Sequence, residues 1–509
     1  MKRVNIMNNK ESGILFHISS LPSKYGVGTF GKVAYDFVDF LNESKIHIWQ
    51  ILPLNLTSFG DSPYQSPSNY GFNIYFIDLD LLTSQGLLKE DEYSSINFGS
   101  DPSRVDYASL FNNRIKLLKL AFSRFKSTAK FKSFLKTNLN SKDFSFFMVL
   151  KELNNYSPWN MWDKKFRNYS AKTEQDVIEN NYDLYCFYMW TQYEFLNQYF
   201  KLKDYANSKN IKIMGDIPIY LAYDSVECYK YPQMFQFDKN KNPTRVAGCP
   251  PDCFSADGQL WGNPLYNWEY LKSTGYKWRN DRIADALKLY DLLRIDHFRG
   301  FSAYYSIPAK DTTARNGKWV KGPGFDLFKD KLNLPIVAED LGLMDKDFEI
   351  FMKECGFPGM KIITQGLLNS DIDNSWRPRN YTSKFFSYTS THDSETAMQF
   401  INQLTDTDRL IFLDALSSDC QYFGIDFDRY VSNYELLNKI IELNYATKAS
   451  VVCMPFQDLL GLGKEARMNL PSTLSTKNWS WRLTISQFEN NKTQIIQNLS
   501  RLAKKYNRL

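Results

Sequence analysis

Leu292-Leu293-Arg294-Ile295-Asp296 is an apolar run of strand length that ends on a charge, and the motif RIDHFRG (294–300) continues it into a turn. Side chains alternate between the two faces of a strand. Arg294 and Asp296 therefore share one face, and Leu293 and Ile295 take the other. Seven more runs of this kind occur, at Gly13–His17, His47–Leu52, Ile211–Gly215, Pro335–Glu339, Met360–Ile363, Phe385–Tyr388 and Ser450–Met454. Polar clusters follow most of them: HISSLP (17–22), GDSPYQS (60–66, a little downstream), GDIPIY (215–220), RIDHFRG, AEDLG (338–342) and STHD (390–393). Helical patterns lie between several runs, at Tyr35–Asn42, Arg282–Tyr290, Phe325–Leu332 and Lys346–Glu354. Strand–helix alternation predicts parallel βα units. Eight such units close a TIM (β/α)8 barrel, an α/β fold whose chemistry sits at the carboxyl ends of the strands.

The spacing predicts one barrel over residues 1–509 with two insertions. Roughly 160 residues separate the second and third runs, far more than a crossover helix needs. Helix-like, aromatic-rich segments there (Asn113–Phe125, Leu184–Tyr205) predict a mainly helical insertion over 78–210. Residues 222–281, rich in Pro, Gly, Tyr and Asn, predict long loops over the barrel mouth, and Ser486–Leu509 predicts a terminal helix.

Composition excludes several classes. The net charge of +6 is small for 509 residues, and Lys and Arg are scattered, which argues against a nucleic-acid partner. Seven cysteines, an odd number with no CxxC pair, argue against a disulfide framework and a structural zinc site. The four histidines lack metal-ligand spacing, so no metal is expected. The polar start MKRVNIMNNKESG does not read as a signal peptide, and no run of about 18 apolar residues appears. The expectation is a cytoplasmic chain with no membrane partner. Nothing in the sequence sets an oligomeric state.

Two strand-end carboxyl groups in contrasting surroundings are what retaining glycosyl transfer requires: an ionised nucleophile and a protonated acid. Asp296, beside the cation of Arg294, suits the first role; the same pair also reads as a structural ion pair. Glu339 follows the apolar lead-in Leu334-Pro335-Ile336-Val337-Ala338, which could desolvate it and keep it protonated. Asp340 points to the opposite face. Asp393 ends another run, where it could bind sugar hydroxyls.

Taken together, RIDHFRGF, AEDLG and THD resemble the motifs of the α-amylase clan. GILFHISSLPSKYGVGTFG, WQILPL, GDSPYQSPS, AGCPPDCFSADGQLWGNPLYNW, NGKWVKGPG, DLLGLGKEARMN and NWSWRL narrow the resemblance to glycoside hydrolase family 77, over residues 12–483. That resemblance implies retaining transfer of α-1,4-glucan segments to glucose or another glucan, with no organic cofactor. It places Asp296 as nucleophile, Glu339 as acid/base and Asp393 as third carboxylate. Arg294 is implied to hold the nucleophile. His392, Asp216 and Tyr64 are implied at the donor sugar, with Ser62 in the same loop. Gln259 and Trp261 look like the acceptor wall, Asn469 like a donor-side residue, and Phe254 falls in a lid that would exclude water. The sequence departs from the family pattern at Cys253 (usually Tyr), Ser302 (usually Glu), Ser394-Glu395 (usually Asn-Asp), Arg379 and NYGFN (69–73). These put acceptor choice and the transfer-to-hydrolysis ratio in question, and the nearest rival reading is an α-glucan hydrolase.

Overall fold

The computed structural model describes residues 10–58, 60–251 and 255–509. It contains twelve strands: β1 (Glu11–Leu15), β2 (Ile48–Gln50), β3 (Lys212–Ile217), β4 (Arg245–Cys249), β5 (Gln259–Pro264), β6 (Leu292–Ile295), β7 (Ala303–Pro308), β8 (Lys318–Lys321), β9 (Ile336–Ala338), β10 (Gly359–Ile362), β11 (Phe385–Tyr388) and β12 (Val451–Pro455). Eight of them form one parallel sheet in the order β10-β11-β12-β1-β2-β3-β6-β9. These are the eight apolar runs of the sequence, with ends shifted by one or two residues. The first begins earlier than its apolar pattern, because Glu11 pairs with Lys212 and the Ser12 hydroxyl donates to Lys45 O, so two polar residues still join the ladder.

The sheet curls until its end strands meet. No ladder links β9 to β10; Ala338 N–H donates to Pro358 O at 2.9 Å, and Met360 N–H donates to the Asp340 carboxylate at 2.6 Å. Gly359 permits this joint, since a Cβ there would lie 2.2 Å from Asp340 Oδ2. The strands are buried almost throughout, as expected where helices cover the outside and side chains fill the inside. The helix Lys32–Glu43 shows the outer ring's logic: Ala34, Phe37, Val38 and Leu41 recur every three or four residues and are fully buried.

Between β2 and β3 the chain is helical, including Tyr107–Arg124, Leu139–Leu153, Ala171–Asn180 and the 27-residue Tyr182–Ser208. That last helix buries most of its middle because it packs on the insertion's own helices and on Lys32–Glu43.

Two sequence readings differ from the structure. Residues 222–281 are not only loops: β4 and β5 pair antiparallel and join β7 and β8 in a four-stranded sheet, β5-β4-β7-β8. Some of the Gly, Asn and Pro that suggested loops lie in the strands themselves, Gly248 in β4 and Gly262, Asn263 and Pro264 in β5. The helix expected at Phe325–Leu332 is only a 3-10 turn, Gly324–Leu327, closed by Phe328 N–H to Phe325 O. Beyond it the chain continues in single i→i+3 turns, Lys331 N–H to Phe328 O and Leu334 N–H to Lys331 O, instead of a helix. The terminal helix spans Ile485–Lys505, started by a Thr484–Gln487 capping box.

Candidate active site

The parallel strands deliver their charged residues to one end of the barrel. Asp216 lies inside β3, Arg294 inside β6, Asp296 just past β6 and Glu339 just past β9. Asp393 stands a few residues beyond β11. Arg294 is the hub. It is 3% exposed, its Nη1 donates to Asp216 Oδ2, and its Nη2 lies 3.0 Å from Asp296 Oδ1. Burial alone would weaken its charge, but the two carboxylates more than offset that and hold it as a cation. Asp296 keeps a quarter of its side chain open to solvent, enough for an incoming ligand to reach it.

The turn after Asp296 is built around Glu339. His297 adopts a left-handed backbone (φ 47°), which costs energy for a residue with a Cβ. That conformation lets His297 N–H donate to Glu339 Oε2 at 2.8 Å, while Leu341 N–H donates to Oε1 at 2.8 Å. Phe298 N–H also donates to the Glu339 main-chain oxygen. Enclosure pushes the Glu339 pKa up to about 8; the Arg294 guanidinium opposes this and the Asp296 carboxylate adds to it. At neutral pH Glu339 is therefore mostly protonated.

Asp393 is set the other way. Burial would raise its pKa, but His392 and the Asn469 amide, which donates to Oδ1 at 2.7 Å, hold it well below the usual carboxylate range. His392 Nε2 lies 3.2 Å from Asp393 Oδ2 and 2.9 Å from the Tyr64 hydroxyl. Asp393's charge raises the His392 pKa despite its burial. Tyr64 donates to Asp216 Oδ2 at 2.7 Å and stacks on His392 at 5.5 Å and 9°. Asp216, Tyr64, His392 and Asp393 thus form one continuous chain of polar contacts leading from Arg294.

The remaining residues named from the sequence divide. Ser62 shapes the Tyr64 loop by accepting Tyr64 N–H on its hydroxyl. Gln259 and Trp261 lie on β5 and bond each other, Nε1–H to Oε1 at 3.0 Å. Trp261 also meets His297 edge-on at 4.9 Å, which brings this wall to the turn after Asp296. Phe254 and Cys253 lie outside the described residues. Sequence reasoning gave no role to Trp479, whose ring sits 5.6 Å from Tyr64 and 6.1 Å from His392 and backs both. Its signal was present in NWSWRL. Arg467, whose Nη2 donates to Asp393 O at 2.9 Å, was likewise visible only as part of a motif. Among the described residues, no group of three His, Cys, Asp or Glu side chains could hold a metal ion.

Comparison with known proteins places the chain in a family. Residues 16–487 match the family Glyco_hydro_77, described as 4-alpha-glucanotransferase. A 4-alpha-glucanotransferase of Clostridium butyricum is 43% identical, covering 96% of this chain and 99% of its own. One of Streptococcus pneumoniae is 42% identical over 94% of each. The amylomaltase of Streptococcus agalactiae, solved with acarbose, superposes with a TM-score of 0.91 at 40% identity, covering 98% of this chain and 99% of that one. The chain belongs to glycoside hydrolase family 77, the 4-alpha-glucanotransferases.

Proposed function

We propose that the chain is a 4-α-glucanotransferase working by retaining double displacement on α-1,4-glucans. The observation that carries this is the contrast between two neighbouring carboxyl groups, Asp296 beside a fixed cation and Glu339 enclosed with its pKa near 8. In the first step the Asp296 carboxylate attacks the anomeric carbon while Glu339 gives its proton to the glycosidic oxygen. The bond from that carbon to the oxygen breaks, and the reducing-end fragment leaves as an alcohol. In the second step Glu339, now a carboxylate, takes the proton of an acceptor hydroxyl. That oxygen attacks the same carbon and Asp296 departs, restoring the α configuration.

Asp393, held ionised by His392 and Asn469, would offer negative charge to the oxocarbenium-like transition state. Tyr64 would cover the apolar face of the donor ring. Gln259 and Trp261 would line the acceptor side, with Phe254 in a lid that keeps water from the covalent intermediate. Maltotriose tests the reading. Glucose together with longer oligomers is expected; shorter sugars alone would mean hydrolysis.

We also place the enzyme in the cytoplasm. No helix among the described residues is long and apolar enough to cross a membrane. Cys186, Cys228, Cys355, Cys420 and Cys453 are buried thiols, a state that suits a reducing compartment. Activity in the periplasmic or secreted fraction of the host would contradict this placement.

A further inference from the structure

Away from these carboxylates, a cavity of about 260 Å³ opens between the helix Lys277–Leu289, the start of the helix Leu139–Leu153 and the loop that follows Tyr64. Its floor is the buried trio Ser68, Val226 and Glu227. Trp278, Asp281, Asp285 and Lys288 recur every three or four residues, so one face of a single helix forms a wall. Tyr70 and Tyr231, both half-buried, supply two more aromatic rings.

The charges around the cavity are already matched. Asp143 pairs with Lys230 at 2.6 Å, Asp285 with Lys288 at 2.7 Å, and Asp281 with Lys277. An anion would meet carboxylates, and a cation would find them neutralised. What remains is directional hydrogen bonding: the Asn140 amide bonded to Asp285, the Tyr231 hydroxyl bonded to Asp143, and the Glu227 carboxyl. Glu227 is 2% exposed, and its Oε2 has no partner among the described residues. Its Oε1 accepts from Asn69 N–H and the Ser68 hydroxyl. Burial pushes the Glu227 pKa up to about 7, so near neutrality the carboxyl is both a donor and an acceptor. Flat aromatic faces with fixed, charge-balanced hydrogen-bonding groups suit a neutral polyhydroxy ring. The volume falls below the roughly 300–1,000 Å³ of drug-sized sites, so it suits one or two rings and not a long chain.

The geometry points to this cavity as an accessory binding site for a neutral glucosyl unit, separate from the Asp296–Glu339 centre. This rests on the glucan reading above. An occupant would also touch the loop carrying Tyr64, because Ser68 and Tyr70 lie only a few residues beyond it. A long glucan with only its terminal rings seated there would have the rest of its chain presented at higher effective concentration to the active centre, which a substrate too short to span both sites would not feel.

The test compares the parent with Ala284→Trp, which places a ring in the mouth at an exposed helix position, and with Trp278→Ala. The expected result is an amylose KM raised at least threefold in both variants, with kcat and KM on maltotriose unchanged. Calorimetry of maltotriose on the Asp296→Asn protein should give two sites, falling to one when Ala284→Trp is added. One site in Asp296→Asn, with amylose KM unaltered in the cavity variants, overturns the proposal. Calorimetry reads the cavity directly, so failure of the parent to disproportionate maltotriose would count against the glucan reading alone.

Discussion

Asp296 and Glu339 occupy neighbouring strand ends, yet Arg294 touches only the first, and this asymmetry makes the two separable by mutation. Asp296→Asn should cut turnover on maltotriose by at least about 10⁴-fold while leaving the fold intact; near-parent rates in clean protein would remove it as nucleophile. Glu339→Gln should lose about 10²–10⁴-fold on maltotriose but far less on α-glucosyl fluoride, whose leaving group needs little protonation. Equal losses on both would give Glu339 another role. Its pKa near 8 also sets a pH limb. The acid form is lost as pH rises through about 8, so kcat/KM should fall there, and the Gln variant should lack that limb. The stability sign follows from the same shift. The folded state holds the Glu339 proton more tightly than the unfolded chain, so stability contributed by this group declines as pH rises from about 4.3 toward 8. The Gln variant should accordingly gain on its parent in denaturant midpoints between pH 5 and 9. At this scale the sequence was informative about position, since alternation alone placed Arg294 beside Asp296. It was silent about the His297 turn, because a left-handed residue that hands its N–H to a side chain 42 positions away leaves no local trace.

Elements are tied to one another by Arg299. It begins the short turn after β6, stacks 4.3 Å over Trp319 of β8, and donates to Leu343 O at 2.8 Å while pairing with Asp345. One guanidinium thus fastens the barrel, the small antiparallel sheet and the loop that leaves Glu339. Arg299→Ala should cost about 2–4 kcal/mol by chemical denaturation, from lost charged hydrogen bonds and a stripped ring face. It should also lower kcat roughly ten- to a hundred-fold by letting the acid drift. Lys should restore little, since it cannot fork or stack. Rescue by Lys would mean that charge alone matters. The elements themselves were unevenly legible. Barrel strands announce themselves by dense apolar runs, because both faces are buried. Strands β5 and β8 are half-exposed ribbons with Gly, Pro and Lys, so their composition reads as loop until the antiparallel partners are known.

For the whole molecule, eight strand-like runs, six of them with a polar cluster at or near their ends, were enough to predict the barrel, because parallel strands must be joined by crossovers and few arrangements satisfy that. What holds the two ends of the chain together was not predictable. Arg508, fully buried, donates to the carbonyls of Tyr445, Thr447 and Ala449 and to Glu11 O, bracing the β12–β1 pair from below. Arg508→Met should cost about 2–4 kcal/mol, since it leaves buried carbonyls unpaired; an unchanged melting temperature would show the bracing to be idle. The joint between β9 and β10 has no such clasp. It is bridged by Ala338 N–H to Pro358 O and by Met360 N–H to Asp340, whose pKa burial lifts to about 6. Amide exchange in the barrel should therefore run fastest at Ala338 and Met360 and slowest along β12–β1–β2, a gradient of local opening around one ring. Glu339 follows β9, at the joint itself, and Asp393 follows β11, one strand beyond β10. Opening at this joint should then reach Glu339 from its Asp340 side alone, because its N–H, carbonyl and carboxyl stay bonded to Ile295, Phe298 and His297 on the β6 side, where Arg294 within the ladder and Asp296 just past it keep their places.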